Sequence, residues 1–584
     1  MSNRFFLPLV YSITMILPFS VAAPGCAPMG AAGSRATITR TAQFQLPRLQ
    51  NPFPRPEEIE RIRQSAPPLT AAATRRGPIA DVDAWDVEST PRPGDPSYEP
   101  SGAVEQLLSE LAIEQGASIR RSDSLRCFAS EVGRFALRHA AAPSRDLEQH
   151  LLRACGSSIA EAGHYRLGAS GRSVREQDLV REARARIRES LAPALRQASI
   201  IGAALEHDSN GWVLVVAFGS PRASLNWTTP DAQHRVQLQG VAPSALSQVA
   251  AMITRGDTGF AYCDKDISTS SNGFAFSCSL DPNDASALVQ VVATPEGGVS
   301  HTELGMALVQ RDPTRAASYT RPSGGGEVGV ESFIALINER RMSAGMGPLT
   351  LAAAQSAELE RNVDALIALT LESPRANVTD ELAIGLASGW EVQGGTIRDA
   401  GIVWAYDRGS SSIARLLSRM SVTPSGRVTL FSPEAQQIAI GLTTDGGAGA
   451  VITTYRLFDD DDARADAHMI RARIERDRAA LGLAPPAWIG ELTAFEARGP
   501  AIASGAITPE LALPAALDEE GARRGVQLEF VALSTLSIQE APLPEGLVRA
   551  PQLRLGVAVV HLPFAEGRWG YSIVCLVREH PAGN

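Results

Sequence analysis

Histidine and cysteine have the widest chemistry of the side chains in this chain. Both are sparse, with nine histidines and six cysteines in 584 residues. Any acid–base or metal site must therefore be assembled from few positions. His139 and His150 lie within the segment Cys127–Cys155, with Glu131 and Glu148 close in sequence. These types can form a histidine–carboxylate pair for proton transfer, but helical amphipathicity reads them as exposed polar positions. His301-Thr302-Glu303-Leu304 begins like a zinc-binding HExxH helix but lacks the second histidine, so it reads as a strand edge. His164-Tyr165 sits in a stretch with nearby glycines that reads as a loop. No G-x-S-x-G elbow occurs. Gly324-Gly325-Gly326 runs into Glu327, with no lysine to reach a phosphate. Asp459 to Asp462 lacks EF-hand spacing and reads as a hinge or helix start. The expectation is no metal, no cofactor and no catalytic residue.

The cysteines carry the stronger signal. Arg4 precedes a nearly uncharged apolar run, Phe5 to Ala23, which ends in Ala22-Ala23-Pro24-Gly25-Cys26. Residues 1–26 read as an export signal with a lipobox-like end, where Cys26 would carry lipid. Plain secretion and an uncleaved anchor are the alternatives. Two local pairs then remain, Cys127 with Cys155 and Cys263 with Cys278, and disulfides persist in an oxidising periplasm or at a cell surface. No CxxC occurs, which disfavours a zinc site. Cys575 lies in the apolar run Tyr571 to Val577 and reads as a buried small hydrophobe.

At ~150 residues per domain, the length implies about three to five domains. The net charge of -10 and a pI near 5.6 exclude a broad electropositive face for nucleic acid. Of the 54 basic residues all but Lys265 are arginine. Residues 27–100 are rich in Pro, Ala and Arg and read as a flexible tether, with a short helix near Pro56–Gln64. Residues 101–225 start with helical spacing, as in Leu125, Phe128, Val132 and Phe135, and close on two strands around Asn210-Gly211. Residues 232–313 read as a β-rich module closed by Cys263–Cys278. Residues 329–458 and 466–579 each start with helices and end with strands.

The last two modules align at an offset of 137: Ile337 with Ile474, Arg341 with Arg478, Gly345 with Gly482, Pro348 with Pro485. Their closing strands correspond through Ile440-Gly441 and Leu555-Gly556, and Ile201-Gly202 plays the same part in the first module. One helix-then-hairpin unit is thus expected three times, each copy long enough for its own core.

The segment Phe333 to Arg341 followed by Gly345-Met346-Gly347-Pro348-Leu349 resembles the opening helix and loop of bacterial members of the CAP superfamily (cysteine-rich secretory, antigen 5 and pathogenesis-related proteins; SCP-like domains). Pro424, Arg427, Leu430, Phe431, Pro433, Ile438 and Gly441 match a second family segment. The resemblance implies tandem CAP-like α-β-α sandwich modules; with the small β-rich module read from residues 232–313, the expected fold class is α+β. It also implies a cavity that gathers two histidines and two acids for a divalent metal. Here the histidine position falls on Gly426, beside Arg427, and only Asp380 or Glu381 stands where the family carries an acid. These are degenerate cavity positions, and no histidine lies between His301 and His468. In the third module His468, His561 (in an expected loop) and His580 form no cluster.

The leading reading is a non-catalytic binding protein of the cell envelope or surface, exported and held by lipid on Cys26, or secreted if unlipidated. Its ligand would be a protein, a glycan or a lipid, and its only membrane contact the N-terminal lipid. The alternatives are a hydrolase acting on envelope peptide or glycan, and a structural spacer.

Overall fold

The computed structural model describes residues 56–579, apart from 75–78, 89–95, 161, 171–174, 210, 245, 266–272, 296–300, 313–314, 322–327, 373–384, 387–394, 409–411, 446, 460, 539–540 and 565–568. The chain is α+β. Residues 44–584 form one compact unit, and its described part holds three sheets with one shared topology.

The first repeat comprises α3 (Ala103–Glu114), β3 (Arg120–Arg121), α4 (Asp123–His139), β4 (Ala142–Pro143), α5 (Arg145–Ala154), β5 (Gly163–Ser170), α6 (Glu176–Leu195), β6 (Ile200–Asp208) and β7 (Gly211–Gly219). It follows α1 (Pro56–Gln64), α2 (Leu69–Thr74), β1 (Ile79–Ala80) and β2 (Ala84–Asp86). Its sheet order is β3-β6-β7-β5. The second repeat comprises α7 (Val330–Ser343), β17 (Thr350–Leu351), α8 (Ala353–Glu372), β18 (Ile397–Asp407), α9 (Ile413–Met420), α10 (Pro424–Phe431), β19 (Gln437–Thr443) and β20 (Ala448–Leu457). Its order is β17-β19-β20-β18. The third comprises α11 (Asp462–Ala480), β21 (Ala487–Trp488), α12 (Thr493–Ala503), α13 (Pro509–Arg524), β22 (Leu528–Thr535), α14 (Glu545–Val548), β23 (Arg554–Pro563) and β24 (Gly570–Glu579), ordered β21-β23-β24-β22.

In every copy the short first strand runs parallel to the third, the third and fourth form a hairpin, and the second lies at the far edge. The fourth strand is central and its residues are buried almost without a break. An unbroken apolar run is what burial on both faces requires. Helices supply both layers, with α4 and α5 opposite α3 and α6 in the first repeat, and α8 opposite α7, α9 and α10 in the second.

Two arginines explain part of the sequence match. Arg341 is fully buried and donates to the carbonyls of Gly347 (2.8 Å), Leu430 (2.9 Å) and Ser432 (3.0 Å). Arg478 donates to Ala484 (2.7 Å), Val548 (2.7 Å) and Ala550 (2.8 Å). Each stands four residues before a left-handed glycine, Gly345 or Gly482. A buried guanidinium needs this full set of acceptors. The first repeat has Ala112 at the equivalent distance from Gly116. The strand registers adjust the other correspondence by two residues. Leu351 pairs with Ile438, Trp488 with Leu555 and Arg121 with Ile201, so Ile438-Ala439 rather than Ile440-Gly441 matches Leu555-Gly556. A shift of two keeps the same side chains on each face.

Between the first and second repeats lies a β-sandwich of β8 (Ser224–Trp227), β9 (Arg235–Val241), β10 (Leu246–Arg255), β11 (Gly259–Tyr262), β12 (Asp264–Lys265), β13 (Gly273–Ser279), β14 (Ser286–Pro295) and β15 (Thr302–Gln310). Its sheets are β11-β10-β14-β15 and β12-β13-β9-β8, packed on one apolar core. Cys263–Cys278 ties the β11–β12 junction to β13, and Cys127–Cys155 joins α4 to the end of α5. Both expected pairs are formed, and Cys575 is buried.

The expected tether is not free from Pro56 onward. Ile59, Leu69 and Ala72 sit in the core of the second repeat, and Trp85 and Val87 in that of the first. β2 pairs with β16 (Ser318–Thr320), and the Trp85 indole donates to the buried Glu131 carboxylate at 3.1 Å. The polar composition of this stretch hid a few apolar anchors spaced too irregularly to show a period.

Candidate functional site

Gly426 and Arg427 lie in the first turn of α10. Thr423 caps that helix, accepting from the Gly426 amide at 3.1 Å, and Pro424 fits the position that needs no amide. A β-carbon on Gly426 would stand 1.7 Å from the Met420 carbonyl oxygen, where α9 ends. No side chain fits there, so a histidine at this position is barred by backbone. The Arg427 guanidinium is committed to backbone carbonyls. It donates to the carbonyls of Ser421 (2.8 Å), Arg255 (3.1 Å), Gly256 (2.7 Å) and Gly259 (2.8 Å), clamping the β10–β11 turn of the sandwich to the second repeat. Cys26, Asp380 and Glu381 lie outside the described residues.

The histidines also disperse. His139 packs on Phe135 at 4.5 Å, and Glu131 is taken by Trp85 and the Glu88 amide. His164 lies in β5, not in a loop, 3.9 Å from Glu148. His561 lies in β23, again not in a loop. Its Nε2 is 2.8 Å from Asp466, a buried carboxylate that also accepts from Arg398 at 2.6 Å, and its ring stacks on Phe458. Among the described residues no group of three His, Cys, Asp or Glu is placed to hold a metal ion.

What the structure does assemble is a cavity of about 2040 Å³ where the repeats and the sandwich meet. Its floor is the outer face of the sheet β10-β14-β15, through alternate residues such as Met252, Leu288, Val292, Met306 and Leu308. Its wall is β18, and α5 and the third repeat close other sides. Pockets for small ligands span ~300–1,000 Å³, so this space exceeds a single metabolite.

The cavity has a polar side. His301 Nδ1 is 2.7 Å from Thr294 Oγ1, and burial holds its pKa below the ordinary value. Glu303 accepts from Gln290 Nε2 at 2.9 Å, with Arg153 at 3.9 Å. Burial raises the Asp399 carboxyl, and with the Asp399 and Glu434 charges nearby it also raises the Tyr262 hydroxyl. Tyr262 nevertheless retains 64% of its surface, because its side chain projects into the cavity. His150 faces the same cavity with its ring 5.6 Å from that of Tyr319. Among the described residues neither His150 Nε2 nor Tyr319 Oη has a hydrogen-bond partner. Burial pushes His150 down to about 4 and Tyr319 up to about 12, so both are neutral over the physiological range. Arg145 lies over the Trp404 ring at 5.3 Å. The sequence offered no signal for this site, because its residues come from separate modules and each looks like an ordinary strand or helix position.

No family model matches the chain, and no curated protein matches it. Solved structures that match part of it include an extracellular SCP-domain protein from Bacillus anthracis, at 12% identity and TM-score 0.17, covering 46% of this chain and 92% of that one. A cysteine-rich secretory protein from Staphylococcus aureus matches at 11% identity and TM-score 0.16, covering 46% and 91%. Overlaps this low carry no argument about fold or function.

Proposed function

We propose that this is an exported, non-catalytic binding protein of CAP type whose ligand occupies the cavity at the module junction, anchored at the envelope or cell surface by lipid on Cys26. The cavity carries the reading. It is large, mostly apolar on its floor, and furnished with polar atoms of His150 and Tyr319 that have no hydrogen-bond partner among the described residues. Buried polar atoms are normally hydrogen-bonded, and a ligand or water inside would supply the missing partners. The two disulfides fit an oxidising compartment. The glycine at position 426 fits a CAP scaffold that has given up its metal cavity.

Native mass spectrometry of the protein purified from an exporting host tests this. The expected result is a co-purifying mass that Ala250→Trp, which fills the cavity floor, removes. An adduct that survives Ala250→Trp, or no adduct, counts against the site.

A hydrolase is the second reading, favoured by the Asp466–His561 pair, since Asp466 lines the cavity. The shared Arg398 instead makes the pair a lock between the second and third repeats. His561→Ala abolishing a hydrolytic activity on envelope material would reverse that preference.

A further inference from the structure

We propose that the cavity takes an extended segment of a partner polypeptide, which adds as a further strand to the open edge of β18 and carries a basic side chain toward Asp399. This rests on the binding reading above and names the class of its ligand.

β18 has 11 residues and is the end strand of its sheet, paired with β20 on one side. At ~3.3 Å per residue its edge runs about 36 Å. On the other side, among the described residues, it carries a single bridge, Ile397 to Trp569 in parallel. Long unpaired edges are templates for strand addition, and proteins usually cover them.

The pattern of contact shows that the cavity follows this edge. Side chains alternate between the faces of a sheet, so a cavity over a face touches every second residue. That holds for the floor, where β10 contributes Ala250, Met252 and Thr254. On β18 the cavity touches every residue from Arg398 to Tyr406. An unbroken run belongs to an edge, where backbone donors and acceptors lie.

The backbone orientation agrees. The Ile440 amide donates to Ser356 Oγ at 3.1 Å and so points away from β20. The alternate residues Ala439 and Gly441 therefore face β20, opposite Thr453 and Val451. The β20 residues between them, Ile452 and Ala450, face β18 opposite Val403 and Ala405. Even-numbered residues of β18 thus point outward. Independently, the Tyr406 carbonyl accepts from Arg419 at 2.6 Å and the Ile402 carbonyl from Thr429 at 3.5 Å, while the Ala400 amide donates to the Asp399 carboxylate. Among the described residues, the amides of Ile402, Trp404 and Tyr406 and the carbonyls of Ala400 and Trp404 remain in register to pair with an incoming strand.

Charge selects the occupant. At the Arg398 end Asp399 and Glu434 both face the cavity; Glu434 is neutralised by Arg456 at 2.8 Å, while Asp399 has no ion pair among the described residues. A Lys or Arg on the incoming strand would meet Asp399, and apolar side chains would meet the Met252, Leu288 and Met306 floor.

The test is binding of a positional-scanning library of synthetic decapeptides to the full-length protein, read by fluorescence anisotropy. The expected result is a binder with Kd of about 100 μM or tighter and a basic residue preferred at one position. Methylating alternate backbone nitrogens of that peptide should weaken it about tenfold or more, since it removes ladder donors while leaving the protein untouched. Asp399→Asn should abolish the basic preference, and Trp404→Pro, which removes an outward amide on an edge strand, should abolish binding. No binder, or a binder indifferent to N-methylation, overturns strand addition. A small-molecule adduct removed by Ala250→Trp would then leave the binding reading standing alone, and a binder seen only after removal of residues 27–55 would make the occupant this chain's own segment and overturn the proposal.

Discussion

A buried, neutral imidazole gives the protein a pH dependence that can be signed. His150 titrates near 4 when folded and near 6.5 when unfolded, because burial penalises its charge. A depressed folded value means the unfolded chain binds the extra proton. The stability is therefore fully present above pH 6.5 and is lost as pH falls toward 4. The shift corresponds to about 3 kcal/mol. Asp146 and Asp399, raised by burial, act in the opposite direction, but equally in wild type and variant. His150→Gln should therefore flatten the loss of stability between pH 6.5 and 4 relative to wild type, measured by chemical denaturation at each pH. Parallel curves would show that His150 is solvated. At this scale the sequence was uneven. Cysteine pairing was legible because local spacing restricts it. Arg427 was placed at a cavity by motif, and it lines the cavity at the module junction, but only the fold shows it also holding three carbonyls of another module. His150 read as exposed because the surface that covers it comes from residues near Tyr319, far along the chain.

At the scale of elements, the repeat was legible where local physics dictates it. A buried arginine, a left-handed glycine and a central apolar strand each leave a mark in the sequence. The two-residue adjustment at Gly441 was not legible, since apolar strands match equally well in registers that preserve the face. The segment 56–88 was misread because five anchors among polar residues suffice to pin it. In the sandwich, Cys263, the single residue between β11 and β12, is tied to β13 through Cys278, in addition to the shared core and the 3.5 Å hydrogen bond from Arg255 to the Ser279 carbonyl. The double substitution Cys263→Ala, Cys278→Ala should lower the sandwich's stability by about 2–4 kcal/mol. Hydrogen exchange over β10 and β13 would report it, and unchanged protection would mean that the sheets hold without the disulfide.

Across the whole molecule, the modules are fastened by arginines. Arg427 clamps sandwich to second repeat, Arg419 meets Asp146 of the first at 2.5 Å, and Arg398 bridges Asp462 and Asp466 of the third. Partly buried charge-assisted bonds of this kind contribute roughly 1.5–3 kcal/mol each. Arg427→Ala should uncouple the sandwich, so that a single calorimetric transition splits in two; one unchanged transition would show the clamp to be redundant. These contacts also set the cavity's shape, which makes the binding site a property of the assembly and explains why no single module announced it.

The most direct test of the central claim is site-specific photocrosslinking in the exporting cell. Tyr262 and Leu511 are similarly accessible, at 64% and 70%, but Tyr262 projects into the cavity and Leu511 lies on α13 outside it. With a photoreactive phenylalanine at each position in turn, the account predicts a light-dependent adduct from position 262 and none from 511. Equal labelling at both positions, or labelling at 511 alone, would contradict a ligand site at the module junction.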